Sequence, residues 1–122
     1  MSYEFNSQTP IYLQIIEHIK IQIISKKLLP GEKIPSVRDL SFEYKVNPNT
    51  VVKSLTELEE LGLLITESTN GKFVTTNIDL IEKIKNETII KKAKDFLGEM
   101  KEIGFDKSQV MEVLKKETLW AF

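Results

Sequence analysis

A short stretch near the middle of the chain concentrates side chains that form directional hydrogen bonds. Asn47, Asn49 and Thr50 lie close together, and Lys53 follows Thr50 by about one helical turn. Asn donates and accepts at once, Thr offers a hydroxyl and a methyl group, and Lys carries a point charge. Asn matches the edge of adenine, Thr meets a phosphate or the thymine methyl group, and Lys meets a phosphate. The stretch therefore indicates contact with DNA, and Arg38 adds a group that can clamp the backbone or reach a guanine.

Each of these residues also has a plainer interpretation. Helix capping alone explains Asn47, and polar residues such as Asn49 and Thr50 are also typical of a first helical turn. Arg38 stands beside Asp39 and would suit a surface salt bridge. Lys53 would suit a solvated charge, as would Lys72 further along the chain. The outward placement of the polar residues on the predicted helix favours contact with DNA over these alternatives.

The chain lacks the groups that catalysis and metal binding need. It has no cysteine and a single histidine, His18, which sits among isoleucines. There is no glycine-rich phosphate loop, and the acidic residues are spread over helix faces. We therefore predict a protein that is not an enzyme, has no metal site and no cofactor, and uses His18 in a structural or surface role.

Composition sets limits on any partner. The 122 residues are 41% hydrophobic and 29% charged, which is typical of one compact, mostly helical domain with an appendage. The net charge of −1 argues against binding through a broadly basic surface, so DNA contact must depend on local arrangement. The absence of cysteine and of a signal peptide or a run of about 20 apolar residues predicts a cytoplasmic protein without a membrane partner.

Helix signals define the frame that must position these residues. Thr9 and Pro10 predict a first helix with Thr9 as its cap and Pro10 at the first helical position. Ser36 predicts the start of a short second helix, and Asn47 with Pro48 predicts a third. The apolar residues of the three helices recur at steps of three and four, which predicts core-facing stripes. They are Tyr12, Ile15, Ile16, Ile19, Ile23, Val37, Leu40, Tyr44, Val51, Leu55 and Leu58.

A β-hairpin is predicted after the third helix. Residues 63–66 and 72–76 are apolar and β-branched, and the dipeptide of Asn70 and Gly71 favours a turn between them. A short strand at Lys33 and Ile34 is also expected. The fold class is thus mainly α with a small β-hairpin, in the order of a winged helix-turn-helix, whose later helix enters the major groove of DNA.

The C-terminal residues predict a dimerisation element. Apolar spacing indicates a long helix up to Gly104 and a last helix to about Glu117, opened by the capping pair of Asp106 and Gln109. So small an appendage has too little core to fold alone. Its apolar stripe could pack within the chain, but the rest of the chain offers few elements to cover so long a helix, which favours a two-fold partner. The residues expected at this contact are Ile81, Ile84, Ile89, Ile90, Leu97, Met100, Val110, Met111, Leu114 and Trp120.

One segment resembles a known family. Residues 29–74 read LPGEKIPSVRDLSFEYKVNPNTVVKSLTELEELGLLITESTNGKFV and resemble the GntR family of bacterial transcription regulators. The shared features, in order, are proline-glycine, the helix start PS-x-R-x-L, EL-x-x-x-GL, and a wing that ends in GKFV. The NPNT turn, the opening PIYLQI at residues 10–15 and the short tail resemble its YtrA-like branch.

The resemblance implies specific roles. It implies a repressor of a transporter operon and a C-terminal helix pair that dimerises, and it identifies no small-molecule effector. Many members have arginine at the positions of Pro48 and Val52, and arginine and glycine at those of Thr69 and Asn70, so affinity and base preference are expected to differ. Lys53 is a weaker match than the other helix residues, and the wing matches least. The implied DNA contacts are Arg38, Asn47, Asn49, Thr50, Lys53, Gly71 and Lys72.

The sequence thus predicts two parts with separate tasks. Residues 1–77 form a winged helix-turn-helix DNA-binding domain, and residues 78–122 form a helical dimerisation domain. The expected function is a transcription regulator that binds double-stranded, palindromic operator DNA as a homodimer. The alternative that the near-zero net charge permits is a winged helix that binds another protein.

Overall fold

The computed structural model describes residues 3–117, and it has the predicted element order. Three helices come first: α1 (Ile11–Ile24), α2 (Val37–Tyr44) and α3 (Pro48–Glu60). A hairpin of β1 (Leu64–Thr66) and β2 (Lys72–Val74) follows, and then α4 (Ile78–Glu102) and α5 (Lys107–Glu117). The fold is a winged helix-turn-helix with a helical C-terminal part, as predicted.

The described residues fall into two compact units that divide after Ile84. The first contains α1 to α3, the hairpin and the first turns of α4. The second contains the rest of α4 together with α5. The predicted domain boundary after residue 77 lies before this division, because the first turns of α4 pack on the core of the first unit.

Two of the three N-terminal helices, α2 and α3, begin with a side-chain cap, and α1 does not. Ser36 accepts a hydrogen bond from the backbone N–H of Asp39 at 3.1 Å, and Asn47 caps α3, as predicted. The prediction that Thr9 caps α1 is wrong, because the cap residue is Pro10, with an extended ψ of 139°. The carbonyl of Thr9 instead accepts a hydrogen bond from the side-chain amide of Gln14 at 2.7 Å, which keeps Thr9 outside the helix.

The core of the first unit forms where the helix stripes meet the hairpin. Ser54 is completely buried among these apolar residues, and its hydroxyl lies 3.1 Å from the carbonyl oxygen of Tyr12. That contact ties α3 to the start of α1. The buried apolar residues of this core are Ile15, Ile16, Ile19, Ile23, Ile24, Ile34, Leu40, Tyr44, Val51, Leu55, Leu58, Leu63, Leu64, Val74 and Ile81.

The wing is shorter than predicted and is braced by a third segment. In the antiparallel ladder Leu64 pairs with Val74 and Thr66 pairs with Lys72, and each strand has three residues. Residues 67–71 form a five-residue connection that contains a 3-10 turn at Ser68–Asn70. Lys33 forms an isolated antiparallel bridge with Phe73, which places the loop before α2 beside the wing.

The second unit contains the predicted capping pair. The backbone N–H of Gln109 donates to the carboxylate of Asp106 at 2.9 Å, and the backbone N–H of Asp106 donates to the side chain of Gln109 at 2.8 Å. This reciprocal pair begins α5, as predicted. Within residues 3–117, no helix combines the length and the apolarity that crossing a bilayer requires.

Candidate DNA-binding interface

The first turn of α3 presents the polar residues that the sequence singled out. The side chain of Asn47 accepts a hydrogen bond from the backbone N–H of Asn49 at 2.8 Å, so its oxygen is engaged in capping. Asn49 is exposed and Thr50 is half-buried. The N-terminus of a helix also favours a phosphate, because its backbone N–H groups and its dipole point toward an anion. This end of α3 can therefore offer both base contacts and a phosphate site.

Three of the predicted residues share one surface groove. An open groove of about 400 Å³ is lined by Ile11 and Tyr12 of α1 and by Asn49, Thr50 and Lys53 of α3. The helical periodicity assigned Tyr12 to the core stripe, and it gave no role to Ile11. Ile11 and Tyr12 lie at the edge of that stripe. Whether α3 covers a side chain there depends on how the two helices pack. The structure thus brings residues from α1 into the site.

Lys53 is held at this groove by an aromatic ring. Its ammonium nitrogen lies 3.8 Å from the centroid of the Tyr12 ring, which is a cation–π contact. Lys53 itself is exposed to solvent. It therefore carries a positive charge beside Asn49 and Thr50, as the DNA-contact prediction requires.

Arg38 is the second residue of α2, and its side chain is exposed. Among the residues that the structure describes, it forms no ion pair with Asp39. The salt-bridge interpretation of Arg38 is therefore not supported. An exposed guanidinium near the start of this helix is available to bind a phosphate or a base edge.

The wing brings Gly71 and Lys33 together. Gly71 has a φ of +103°, and a Cβ atom there would lie 3.1 Å from the Cε atom of Lys33. A residue with a side chain would thus be both strained and crowded. Lys33 and Ser36 line one cleft with the wing residues Gly71 and Lys72. The sequence pattern did not single out Lys33 as a candidate, because its position opposite the wing depends on the bridge to Phe73.

Lys72 lies in the wing as predicted, but it has protein partners. Its ammonium group donates to the carboxylate of Glu59 at the end of α3 and to the hydroxyl of Thr66 at 2.9 Å. The hydrogen bond from Lys72 lowers the pKa of Glu59 below its ordinary value; burial opposes this effect, while the hydroxyl of Thr66 and the charge of Lys72 add to it. Lys72 is therefore a partly neutralised charge.

His18 is half-buried and contacts two tyrosines. Its Nδ1 atom lies 2.7 Å from the hydroxyl of Tyr44, and Tyr3 packs against its ring with centroids 4.5 Å apart. Burial raises the pKa of the Tyr44 hydroxyl, which therefore stays protonated and can donate to His18. Within residues 3–117, no group of three or more His, Cys, Asp and Glu side chains could hold a metal ion.

The residues predicted to dimerise do not share one environment. Ile81 is only 2% exposed and belongs to the core of the first unit, so assigning it to a dimer contact was wrong. Ile84 packs partly against the same core, and Val110 is also buried. Of the remaining described residues, four are exposed and two are half-buried: Ile89, Ile90, Met111 and Leu114 are exposed, and Leu97 and Met100 are half-buried. Trp120 lies outside the described residues.

Comparison with known proteins identifies the family. The profile of bacterial regulatory proteins of the gntR family matches residues 11–74, from the start of α1 to the end of the wing. The chain belongs to the GntR family. As a GntR protein it is a DNA-binding transcription regulator and not an enzyme, which confirms both predictions.

Relatives in Bacillus subtilis cover different shares of this GntR chain. It is 36% identical to the uncharacterized HTH-type transcriptional regulator YhcF over 97% of its own length and 98% of that protein. It is 42% identical to the HTH-type transcriptional repressor YtrA over 58% of its length and 55% of YtrA. The chain thus spans about half of YtrA, and its resemblance to the YtrA-like branch agrees with that match.

Solved structures of GntR proteins agree with the fold. A GntR family transcriptional regulator from Listeria monocytogenes has a TM-score of 0.85 and 32% identity, covering 92% of this chain and 98% of that one. The DNA-binding domain of AraR, solved with operator ORX1, has a TM-score of 0.56 and 29% identity, covering 62% of this chain and 95% of that one. A domain similar to the first unit is therefore known in complex with operator DNA.

Proposed function

We propose that this GntR regulator is a repressor that binds a palindromic operator as a homodimer. The observation that carries the proposal is the groove at the start of α3, where Asn49, Thr50 and Lys53 meet the first residues of α1. A helix N-terminus with a carboxamide, a hydroxyl and an ammonium group can read base edges and bind phosphates. In a homodimer each protomer would carry one such groove, and the two grooves would contact the two half-sites of the operator.

The predicted contact residues divide by task. Asn49 and Thr50 contact base edges and the nearby phosphate, and Lys53 contacts a phosphate. Arg38 clamps the backbone from the start of α2. Asn47 sets the geometry of α3 by capping it. In the wing, Gly71 and Lys72 approach the flanking backbone, with Lys72 shared between Glu59 and the DNA.

Exposed apolar side chains of the second unit support the dimer. Ile89 and Ile90 are 54% and 55% exposed, and Ile103 is 73% exposed. A large set of exposed apolar residues in a small helical unit indicates a surface that a partner covers. A two-fold partner satisfies this surface in both copies at once, and it would set two recognition helices about 34 Å apart along the operator. The dimer contact is therefore assigned to residues after Ile84.

The direction of regulation and its target are proposed from relatives. YtrA is named a repressor, and repression is also simple mechanically, because a dimer on an operator blocks access to the promoter. A transporter operon is the target that the YtrA-like resemblance suggests. The absence of cysteine suits a reducing compartment such as the cytoplasm, where operator DNA lies.

Selection from random DNA tests this function. The purified chain is incubated with a pool of random duplexes, and the bound fragments are amplified and sequenced over several rounds. We expect a palindrome whose half-sites are centred about one helical turn, roughly 34 Å, or a multiple of it apart. A double variant, Asn49→Ala with Thr50→Ala, is the matched control and should lose the enrichment. Enrichment of a single unrepeated site would contradict the dimer, and no enrichment would contradict sequence-specific binding.

The salt dependence of binding separates this function from the alternative of a protein-binding winged helix. A reader of DNA releases counterions from each phosphate that it neutralises, so its affinity falls steeply as salt rises. The selected duplex is titrated at a series of salt concentrations by fluorescence anisotropy. A flat dependence would favour the protein-binding alternative.

A further inference from the structure

Tyr12 has the geometry of a residue that prepares Lys53 for DNA. It is half-buried at the start of α1, and its ring lies 3.8 Å from the ammonium nitrogen of Lys53 in α3. We infer that Tyr12 is a positioning residue for operator recognition, which acts by holding the charge of Lys53 at the groove. This inference rests on the proposed function, and it adds a residue of α1 to the recognition surface.

The ring of Tyr12 is itself fixed in place. Tyr12 packs against the core of the first unit, and its carbonyl oxygen lies 3.1 Å from the hydroxyl of Ser54. The same hydroxyl lies 2.9 Å from the carbonyl oxygen of Thr50. Ser54 is completely buried and directly follows Lys53 in α3. The start of α1 and the reading face of α3 are thus locked together at the residue next to Lys53.

A fixed ring changes what a lysine contributes to binding. A free lysine side chain samples many rotamers and loses that freedom when it binds a phosphate. The face of the Tyr12 ring attracts the ammonium group and restricts it before DNA arrives. The groove that both residues line is open, so the ammonium hydrogens remain available to an incoming phosphate. Tyr12 therefore lowers the entropic cost of the contact that Lys53 makes.

A double-mutant cycle tests the coupling. Tyr12→Leu removes the ring and keeps an apolar side chain, Tyr12→Phe keeps the ring, and Lys53→Met removes the charge with similar bulk. Affinity for the duplex that the wild-type chain selects is measured for each variant alone and in combination. We expect Tyr12→Leu to weaken binding by about two- to fivefold when Lys53 is present and to have no effect beside Lys53→Met. Tyr12→Phe should bind like the wild type.

Other results would overturn the inference. An equal loss from Tyr12→Leu in both Lys53 backgrounds would mean that Tyr12 acts independently of the lysine, and no loss at all would mean that it has no role in binding. A wild-type chain that selects no duplex would remove the proposed function and the inference together. A wild type that binds without coupling between the two residues would remove the inference alone.

A measurement on the free wild-type chain covers the case in which Tyr12→Leu does not fold. A cation held over a ring places the Cε protons of Lys53 in the shielding zone of Tyr12, so their NMR signals should move upfield of the other lysines. Lys27, an exposed residue in the loop after α1, is the reference. Signals of Lys53 at the ordinary lysine position would overturn the inference without any variant.

Discussion

Lys72 in the wing donates a hydrogen bond to the carboxylate of Glu59 in the last turn of α3. The contact joins the recognition helix to the wing, and it lowers the pKa of Glu59. It also places a negative charge next to the cation that the wing would offer to a phosphate. On the proposed function, Glu59 would stabilise the wing and weaken its contribution to DNA binding at the same time.

Removing the charge of Glu59 should release Lys72. For Glu59→Gln we expect operator binding that is tighter by about two- to fivefold and steeper in its salt dependence, because Lys72 then neutralises a phosphate. The fold should lose at most about 1 kcal/mol, the usual range of an ion pair near the surface. Anisotropy titrations at several salt concentrations measure the first effect, and thermal unfolding measures the second.

Glu60→Gln is the matched control for that variant. Glu60 is exposed on the same turn of α3, and its removal changes the net charge equally. Equal tightening by both variants would mean that overall charge, and not the release of Lys72, controls affinity.

Arg38→Ala and Thr50→Ala should each weaken operator binding by about tenfold or more without unfolding the chain. The side chain of Arg38 is exposed and that of Thr50 is half-buried beside the groove, so neither belongs to the buried core. Affinity comes from titration of the selected duplex, and the fold is checked by circular dichroism. Lys27→Ala removes one positive charge from the loop after α1 and should bind normally. If either test variant bound as tightly as Lys27→Ala, that residue's contact would be wrong.

Ile90→Glu should convert the dimer to a monomer at micromolar concentration. Ile90 is 55% exposed in the second unit, so a glutamate is tolerated in the monomer but would be desolvated in a dimer contact. Sedimentation measures the oligomeric state. Lys101→Glu adds the same acid at an exposed charged position and should leave the dimer intact. A dimeric Ile90→Glu would place the contact elsewhere.

Truncation before Ile81 would be a poor test, because this residue completes the core of the first unit.

The stability of the fold should fall as the pH drops below about 6.5, the ordinary pKa of histidine. Burial lowers the pKa of His18, an effect that Glu43 opposes and Lys27 assists. The unfolded chain then binds the proton at a higher pH than the folded chain, so protonation favours unfolding in this window. Chemical unfolding between about pH 7.5 and pH 5.5 measures the slope, above most carboxyl titrations. His18→Gln should flatten it, and an unchanged slope would assign the effect to other groups.

Local chemistry explains why the helix-turn-helix could be predicted from the sequence. The caps Ser36 and Asn47 act on N–H groups two or three residues away, so their effect is contained in a few letters of sequence. Thr9 does not cap α1: the first intrahelical hydrogen bonds go to the carbonyl of Pro10, while the carbonyl of Thr9 accepts from the side-chain amide of Gln14, which also binds Asn6. Family resemblance supplied the wing contacts, which spacing alone did not predict.

Contacts between elements account for what was missed. The pair of Glu59 and Lys72 forms only because the hairpin folds back along α3, and the position of Tyr12 over the groove depends on how α1 crosses α3. The apolar residues of α4 recur mostly at helical spacing, apart from a step of five between Ile84 and Ile89. That spacing does not distinguish Ile81, which packs on the first unit, from Ile90, which is exposed. Periodicity identifies an apolar face but not which neighbour covers it.

The small number of cations on the reading surface affects how the regulator would search a chromosome. Among the proposed contacts of the helix-turn-helix, Arg38 and Lys53 are the cations, while Lys72 in the wing is held by Glu59. Affinity for arbitrary DNA depends on such charges, so few molecules should be retained at the very many competing sites of a genome. The pool that remains unbound would then be large, and operator occupancy would follow the copy number of the regulator closely. Modest changes in its synthesis would be enough to alter transcription of its target.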